Sequence, residues 1–267
     1  MHIKSYAHIL YHQAYTRFLI LIATLFILLP TPIHAKVGGL AFLNPANSIE
    51  KRTSYSVFGD KEEQFIERLD ISFDMRLPYR EEVGYIVRVI DKTENKIFNV
   101  FYDGRGNDYF ELNREGYKGL IKIRFNRQKL MLKQWFNMHI SFNMKQQTIS
   151  MSIDGEQKSI KLPMGKNSLP HNMLASIVFG RSDYLIDVPS FAMRDLVVSD
   201  ADSRWRFPLK QTSGTTVLDE QHNTVGIVYS PYWLLNDHYH WTPLLSWKSD
   251  TPAGHNFFVP NHQLLYY

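Results

Sequence analysis

The stretch that decides the fold is residues 135–143, WFNMHISFN, together with residues 148–155, TISMSIDG. In both segments apolar residues alternate with polar ones, and this period of two gives each the one-sided apolar face of a β-strand. Residues 144–147 interrupt the alternation and predict a hairpin loop. Asp154-Gly155 predicts a tight second hairpin, because glycine accepts the positive φ that two-residue turns need. Residues 130–162 are therefore predicted to form a three-stranded antiparallel meander that packs on a second sheet.

Further segments show the same alternation, separated by turn-forming residues at the spacing of short strands. They are residues 53–58, 65–77, 83–90, 97–102, 109–112, 120–125, 176–180 and 191–198. In the last of these, Phe191, Met193 and Asp195 are predicted to share one face, with Leu196 on the other. No long segment holds the 3.6-residue apolar period of a helix, so the predicted fold class is all-β: an antiparallel two-sheet sandwich or jelly roll.

Composition and charge exclude several classes of protein. The 267-residue chain is 44% hydrophobic, enough for a sizeable core, and its net charge of +4 is too small to favour nucleic acid as a partner. It has no cysteine, which excludes disulfides, thiolate metal sites, a cysteine nucleophile and lipid attachment through cysteine. Stability must therefore come mainly from packing and from hydrogen bonds within the sheets.

The N-terminal residues 1–35 have the organisation of a signal peptide. Lys4 and Arg17 precede or border the apolar run Phe18–Leu29, which a proline and small residues end. A helix formed by this run would span about 18 Å, short of the roughly 30 Å hydrocarbon core of a bilayer. The prediction is an exported protein, periplasmic, cell-surface or extracellular, with a mature chain that starts near Lys36. The alternative is an uncleaved anchor.

Four features of the sequence stand in an order that resembles a known family. They are the strand 71–75, the strand opened by Trp135, the turn Asp154-Gly155, and the strand 191–198 with Asp195 among apolar residues. Over about residues 40–200 the chain resembles the laminin-G-like, concanavalin A-like jelly-roll family of lectins and glucanases. The resemblance implies a jelly-roll sandwich, and it says much less about function, since one fold hosts many functions.

The resemblance also implies a division of the chain. Residues 36–202 would form the jelly-roll sandwich and residues 203–241 a C-terminal extension of it, similar to the stretch that joins such sandwiches to kelch-type propellers. Residues 242–267 resemble the start of a propeller, but a full propeller needs several blades of roughly forty to fifty residues each. This tail is therefore predicted to be dispensable for the sandwich.

Trp135 opens the central strand and has apolar residues three, five and seven positions after it, at Met138, Ile140 and Phe142. This position predicts a residue buried in the core between the sheets. The alternative is an exposed platform on which a sugar stacks.

No catalytic residue is predicted. Retaining glycanases need two carboxylates roughly 5 Å apart, and the glucanases of the family that the chain resembles carry an E-x-D-x-x-E pattern on one strand. Asp70 and Asp74 share a predicted strand face, but Ser72 stands between them where that pattern has an acid. These residues favour a solvated strand face, and a glycoside hydrolase with an unrecognised site stays as an alternative.

The candidate ligand-binding residues lie in two polar loops, 103–108 and 181–187. They are Asp103, Arg105, Asn107, Asp108, Arg181, Asp183 and Tyr184. No cofactor is predicted as required, but the carboxylate and amide oxygens suit calcium, and the arginine and tyrosine side chains could bind a sugar. The alternative is a pair of ordinary polar turns, where Asp, Asn and Gly are favoured for backbone reasons. His238 and His240 suggest either a zinc site or an aromatic packing segment.

The predicted function is an exported, non-catalytic binding or spacer module, with carbohydrate as the leading ligand class by family analogy. A glycan or a surface protein is the expected partner, nucleic acid is not, and membrane contact is expected only through the signal segment. A purely structural module is the remaining alternative.

Overall fold

The computed structural model describes the greater part of residues 38–234 and two short segments beyond them. The described ranges are 38–43, 52–77, 82–106, 108–116, 119–126, 129–130, 135–165, 167–180, 188–221, 223–234, 239–240 and 259–260. The predicted signal peptide and most of the predicted tail lie outside these ranges, so both stay predictions.

Within the described ranges the chain forms eighteen strands. They are β1 (Leu40–Phe42), β2 (Ser54–Ser56), β3 (Glu63–Ile66), β4 (Arg68–Arg76), β5 (Val83–Asp91), β6 (Lys96–Asp103), β7 (Tyr109–Arg114), β8 (Ile121–Arg124), β9 (Phe136–Asn143), β10 (Thr148–Ile153), β11 (Glu156–Lys161), β12 (Asn172–Phe179), β13 (Phe191–Ser199), β14 (Arg204–Phe207), β15 (Thr216–Leu218), β16 (Val225–Tyr229), β17 (Tyr239–His240) and β18 (Val259–Pro260).

The strands form two large antiparallel sheets. Sheet A has the order β1-β13-β4-β9-β10-β11, with β14 also paired to β13, and sheet B has the order β15-β16-β2-β12-β5-β6-β7-β8, with β3 also paired to β12. Strands β17 and β18 pair only with each other among the described strands. The prediction of an all-β, antiparallel two-sheet sandwich of the jelly-roll type is confirmed.

The core lies between the two sheets and is rich in phenylalanine. Phe142 of sheet A meets Phe98 of sheet B with ring centroids 5.0 Å apart, and Phe73 meets Phe179 at 5.1 Å. Both pairs are edge-to-face, the geometry in which aromatic pairs add about 0.5–1.5 kcal/mol to the value of the buried area. These contacts fix how the two sheets sit on each other.

The meander of β9, β10 and β11 has the predicted form. Met138 pairs with Ile153 and Phe142 with Ile149, so the apolar residues of both strands face the core together. Asp154 and Gly155 have φ values of 51° and 87°, and positive φ at both central residues is what a type I′ hairpin turn requires.

The predicted strand 65–77 is wrong as a single element, because the chain changes sheet within it. Glu67 has a φ of 60° and interrupts the extended backbone. Before it, β3 pairs with β12 in sheet B, and after it β4 pairs with β9 in sheet A. The alternation of Phe65 and Leu69 continues across the break because both residues face the same inter-sheet core.

The predicted alternation of strand 191–198 is also wrong at its centre. A β-bulge interrupts the pairing of β13 with β4 between Arg194 and Val197, and Asp195 adopts a φ of 49°. The extra residue lets Met193 and Leu196 both reach the core, where each is fully buried. Without the bulge, Asp195 would point into the core, where an unpaired charge is costly.

Trp135 is not a core residue of the sandwich, contrary to expectation. A period of two places residue 135 on the opposite face from Met138, and the indole lies on the outer face of sheet A. There it packs on a small cluster formed by Ala41, Ala192 and Leu234. The core position at the head of β9 is taken by Phe136, which is 4% exposed.

The region predicted as a C-terminal extension contributes strands to both sheets. Strand β14 lengthens sheet A beside β13, and the hairpin of β15 and β16 adds to sheet B beside β2. Phe207 and Val217 are fully buried in the main core. The boundary at 242 and the kelch-type resemblance stay predictions.

Lys129 and Leu130 have helical backbone, and the Asn126 side chain accepts a hydrogen bond from the Lys129 amide at 3.0 Å. A helix with the length and apolar character needed to cross a bilayer is not found in the described part of the chain.

Tyr55 gives a test of the core. Its side chain is fully buried against Phe179 and Phe207, and the hydroxyl has no hydrogen-bond partner within the described residues. A buried hydroxyl without a partner costs about 1–3 kcal/mol, so Tyr55→Phe should raise the free energy of unfolding by about 1 kcal/mol in urea titrations. The control Tyr55→Leu should lower it, because it leaves a cavity. A less stable Tyr55→Phe protein would show that the hydroxyl has an acceptor.

Candidate functional site

Two neighbouring strands of sheet A carry a patch of polar side chains on the outer side of the sandwich. We call this patch the polar face; its residues are Asp70, Ser72 and Asp74 of β4 and Asn137 and His139 of β9. The strands place them there because the alternate residues are required in the core. The register sets Ser72 opposite His139 and Asp74 opposite Asn137, so the two rows of side chains lie within reach of each other.

Asp70 and His139 form the first half of the polar face. The His139 Nε2 atom lies 3.3 Å from Asp70 Oδ1, and the two side chains are 33% and 15% exposed. Burial alone would raise the pKa of Asp70, but hydrogen bonds from His139 and Ser141 and the adjacent Arg68 guanidinium outweigh it and lower that pKa. Asp70 is therefore held as a carboxylate, and its contact fixes the orientation of the imidazole.

Asn137 organises the second half. Its Nδ2 atom lies 3.2 Å from Ser72 Oγ, 3.3 Å from Asp74 Oδ1 and 3.3 Å from the Phe73 carbonyl oxygen. Its amide is thereby oriented by both the backbone and the side chains of β4, while the residue itself is exposed. The N–H groups of Asn137 are thus used within the protein, and its fixed Oδ1 atom can accept a hydrogen bond from a ligand without further ordering.

A line of alternating charges continues from the polar face toward the edge of sheet A. Arg194 Nε lies 3.6 Å from Asp74 Oδ2, and Arg206 lies 3.6 Å from Asp195 and 3.0 Å from Glu220. The β13 bulge makes this line continuous, because it turns Asp195 outward between the two arginines. The line becomes more exposed outward: the Arg194 side chain is 12% exposed and the Arg206 side chain 42%.

Trp135 borders the polar face but is engaged by the protein itself. The guanidinium carbons of Arg194 and Arg76 lie 4.1 Å and 5.0 Å from the centre of its ring. A Cβ atom added at Gly39 would come within 3.2 Å of the indole. The ring is packed between the sheet surface and two cations, which argues against a sugar platform here.

Small hydroxyl side chains lie on the other side of the polar face. Ser141, Ser150 and Ser159 are successive cross-strand neighbours on β9, β10 and β11, and Ser152 is the neighbour of His139. Short side chains leave a shallow floor beside the taller Asp70 and His139 pair. The outer face of sheet A is thus polar over several strands.

Of the ligand-binding residues predicted from the sequence, the structure describes Asp103, Arg105 and Asp108. Asp103 ends β6, and its Oδ1 atom accepts a hydrogen bond from the Arg105 amide at 3.0 Å and lies 3.5 Å from Arg105 Nε. The Asp108 carbonyl accepts a hydrogen bond from the Phe125 amide at 3.0 Å. These contacts are those of an ordered polar turn, and the Arg105 side chain is 61% exposed.

The other predicted residues are Asn107, Arg181, Asp183 and Tyr184, and they lie outside the described residues, as does His238. Within the described ranges, no cluster of three or more His, Cys, Asp or Glu side chains could hold a metal ion. The ligand-binding role of the two polar loops, 103–108 and 181–187, which we call the rim loops, and their calcium site therefore stay predictions.

Sequence reasoning treated Asp70, Ser72 and Asp74 as a solvated strand face and did not single out Asn137 or His139. The available signal was that amide, imidazole and carboxylate side chains occupy the outward positions of two strands that a meander must bring near each other. Their mutual register could not be derived, because residues 77–135, which include strands β5 to β8, separate β4 from β9.

No protein-family model and no curated protein matches the chain. Solved structures are similar over part of it. A Bacteroides ovatus protein named for carbohydrate binding has a TM-score of 0.48 and 12% identity over 75% of this chain and 60% of its own. A SAP-like pentraxin from Limulus polyphemus has a TM-score of 0.44 and 13% identity over 61% of this chain and 76% of its own. Domains LG4-5 of the mouse laminin α1 chain have a TM-score of 0.42 and 14% identity over 69% of this chain and 46% of their own. All three TM-scores are below 0.5, so neither ligand nor activity is carried over from them.

The lowered pKa of Asp70 predicts how stability depends on pH. The pKa is about 3.9 in an unfolded chain and lower in the folded one. Such a group stabilises the fold above the unfolded pKa, and the contribution is lost as the pH falls through the folded pKa. Urea unfolding between pH 7 and pH 2 should show Asp70→Asn less stable than the wild type at pH 7 and less sensitive to acid below about pH 4.

A matched control for this experiment is Glu156→Gln, at an exposed position of β11, which should follow the wild-type curve. If the curves of Asp70→Asn and the wild type ran parallel down to pH 2, the contacts of Asp70 with His139 and Ser141 would not stabilise its charge.

Proposed function

We propose that this chain is an exported, non-catalytic carbohydrate-binding module and that the polar face binds the glycan. The observation that carries the proposal is an array on two central strands, in which Asp70 and His139 form a close pair and Asn137 is hydrogen-bonded to Ser72 and Asp74. Export rests on the signal-like organisation of residues 1–35 and is tested separately, by N-terminal sequencing of secreted protein.

A glycan fits this array better than an apolar ligand or a polyanion. The side chains offer donors and acceptors in fixed directions, as a ligand covered with hydroxyl groups needs. Opposite charges alternate along Asp74, Arg194, Asp195 and Arg206, so no large field of one sign builds up to attract a polyanion. Positions on strands also hold side chains more rigidly than loop positions do.

The chemistry of the polar face favours binding over hydrolysis. A glycosidase needs a carboxylic acid with a raised pKa beside a second carboxylate. The pKa of Asp70 is shifted in the opposite direction. Asp74 lies four residues further along the same strand, which separates the two backbones by roughly 13 Å at about 3.3 Å per residue. Asp74 is moreover engaged by Asn137 and Arg194.

The test is a glycan array probed with the full-length chain, followed by titration calorimetry on the glycans that bind. Asn137→Ala and His139→Ala should each weaken binding at least tenfold, a loss of about 1.4 kcal/mol, while the protein stays folded with a cooperative unfolding transition and a slightly lower melting temperature. Thr216→Ala, at an exposed position of sheet B, is the matched control and should bind like the wild type.

The same experiment separates the alternatives. If Arg105→Ala abolished binding and Asn137→Ala did not, the ligand would bind at the rim loops. An array on which no glycan bound would contradict carbohydrate recognition and favour a spacer or structural module. Release of reducing sugar from a bound polysaccharide by the wild type, but not by Asp70→Asn, would identify a hydrolase.

A further inference from the structure

A second concave surface lies away from the polar face, at the turns of sheet B. It is a cleft of about 600 Å³ bordered by residues 94–97 of the β5–β6 turn, residues 114–116 after β7, and Gly165 in the loop that leads from β11 to β12. We call it the turn cleft. Its volume lies within the range of small-ligand sites in proteins.

Long polar side chains hold the walls of the turn cleft in place. Lys96 Nζ donates a hydrogen bond to the Ser168 carbonyl at 2.6 Å, and Arg114 Nη2 donates to Asn167 Oδ1 at 3.0 Å. Arg114 is only 5% exposed, so a buried guanidinium anchors the loop to sheet B. A cleft with fixed walls loses little conformational entropy when a ligand enters.

The loop is also anchored on its far side by a buried glutamine. The Leu169 amide donates to Gln147 Oε1 at 2.7 Å, and Gln147 Nε2 donates to the Leu169 carbonyl at 3.1 Å. Gln147 is 7% exposed. Residues 167–169 are therefore bound both to sheet B and to the β9–β10 turn of sheet A, and the position of this wall of the cleft follows from the packing of the sandwich.

Two glycines belong to the lining of the cleft. Gly116 and Gly165 have φ values of 76° and 112°, and a Cβ atom added to either would meet nothing within 4 Å. Bare backbone therefore lines part of the cleft, and the half-buried Ile97 supplies an apolar surface beside it. Backbone groups and one aliphatic side chain form a surface on which a sugar ring can lie.

The charges of the lining indicate which class of ligand fits. Lys96 and Arg114 are balanced by Glu94 and Glu115, and Lys96 is paired with Glu94 directly. The lining residues that the structure describes carry no net charge, so they offer donors and acceptors without attracting an anion or a cation. We propose that the turn cleft binds a short neutral oligosaccharide, at a site separate from the polar face.

The experiment compares two glycine variants of the full-length chain. Gly116→Asn adds a side chain to a residue of the cleft lining, at a φ that asparagine tolerates. Gly155→Asn makes the same change at the β10–β11 turn, where φ is 87° and a Cβ also meets nothing within 4 Å, and Gly155 is not among the residues that border the turn cleft. Both variants should melt at nearly the same temperature, so any difference in binding reports the cleft.

The probes are maltotetraose, cellotetraose, laminaritetraose and mannotetraose, with tetragalacturonate as the acidic counterpart, measured by calorimetry. At least one neutral probe should bind the wild type more tightly than tetragalacturonate. Gly116→Asn should weaken that binding at least tenfold, and Gly155→Asn and His139→Ala should leave it unchanged.

Several results would overturn the inference. These are no binding of any neutral probe, tighter binding of tetragalacturonate, no effect of Gly116→Asn, or loss of binding in His139→Ala alone. The last result would place the ligand at the polar face and support the proposed function instead. Loss in Gly116→Asn alone would support the turn cleft even if glycan binding at the polar face failed, so the two sites are tested independently.

Discussion

The central strands of sheet A, β13, β4, β9 and β10, must turn their apolar side chains toward sheet B, and this requirement governs the rest of the molecule. Contacts such as Phe98 with Phe142 and Phe73 with Phe179 exist only if these strands keep their apolar residues on the inner side. The bulge in β13 shows how strictly this is enforced. The chain accepts a left-handed φ at Asp195, a conformation that costs an ordinary residue about 1 kcal/mol or more, and thereby keeps Leu196 in the core.

The same requirement decides what the outer side of sheet A can carry. Once alternate residues are committed to the core, the positions between them face outward as a regular grid that is polar without cost to folding. The grid becomes a candidate binding surface where its side chains hold each other, as Asn137 does with Ser72 and Asp74. The entropy of ordering these side chains is spent during folding, so a ligand does not have to supply it.

Much of this architecture could be predicted from the sequence, because period-two alternation and turn chemistry are local signals. The meander, its Asp154-Gly155 turn and the two-sheet antiparallel sandwich follow from residues adjacent in the chain. The predictions that are wrong concern positions where pairing or packing with distant segments overrides the local pattern of alternation. The residues on either side of Glu67 alternate like one strand, but those before it pair with β12 and those after it pair with β9. Trp135 and Met138 are an odd number of residues apart, so they lie on opposite faces of the strand, and the prediction that both are in the core is wrong for Trp135.

The candidate sites were harder to predict for a related reason. Sequence motifs direct attention to loops rich in Asp, Asn and Gly. These residues are common in loops for backbone reasons alone, so their presence does not indicate a site. In this chain the chemically organised surfaces depend on pairings between distant segments: Asp70 meets His139 across β4 and β9, and Arg114 meets Asn167 between a strand end and a loop. Neither pair is close in the sequence, and neither contains a recognisable motif.

Both candidate surfaces are positioned by the sandwich, since Arg114 lies on sheet B and the polar-face residues lie on sheet A. The atoms that a ligand would contact are nevertheless exposed, so binding can be changed without a large loss of stability. Asn137 and Gly116 can therefore be changed without touching the inter-sheet core that positions both surfaces.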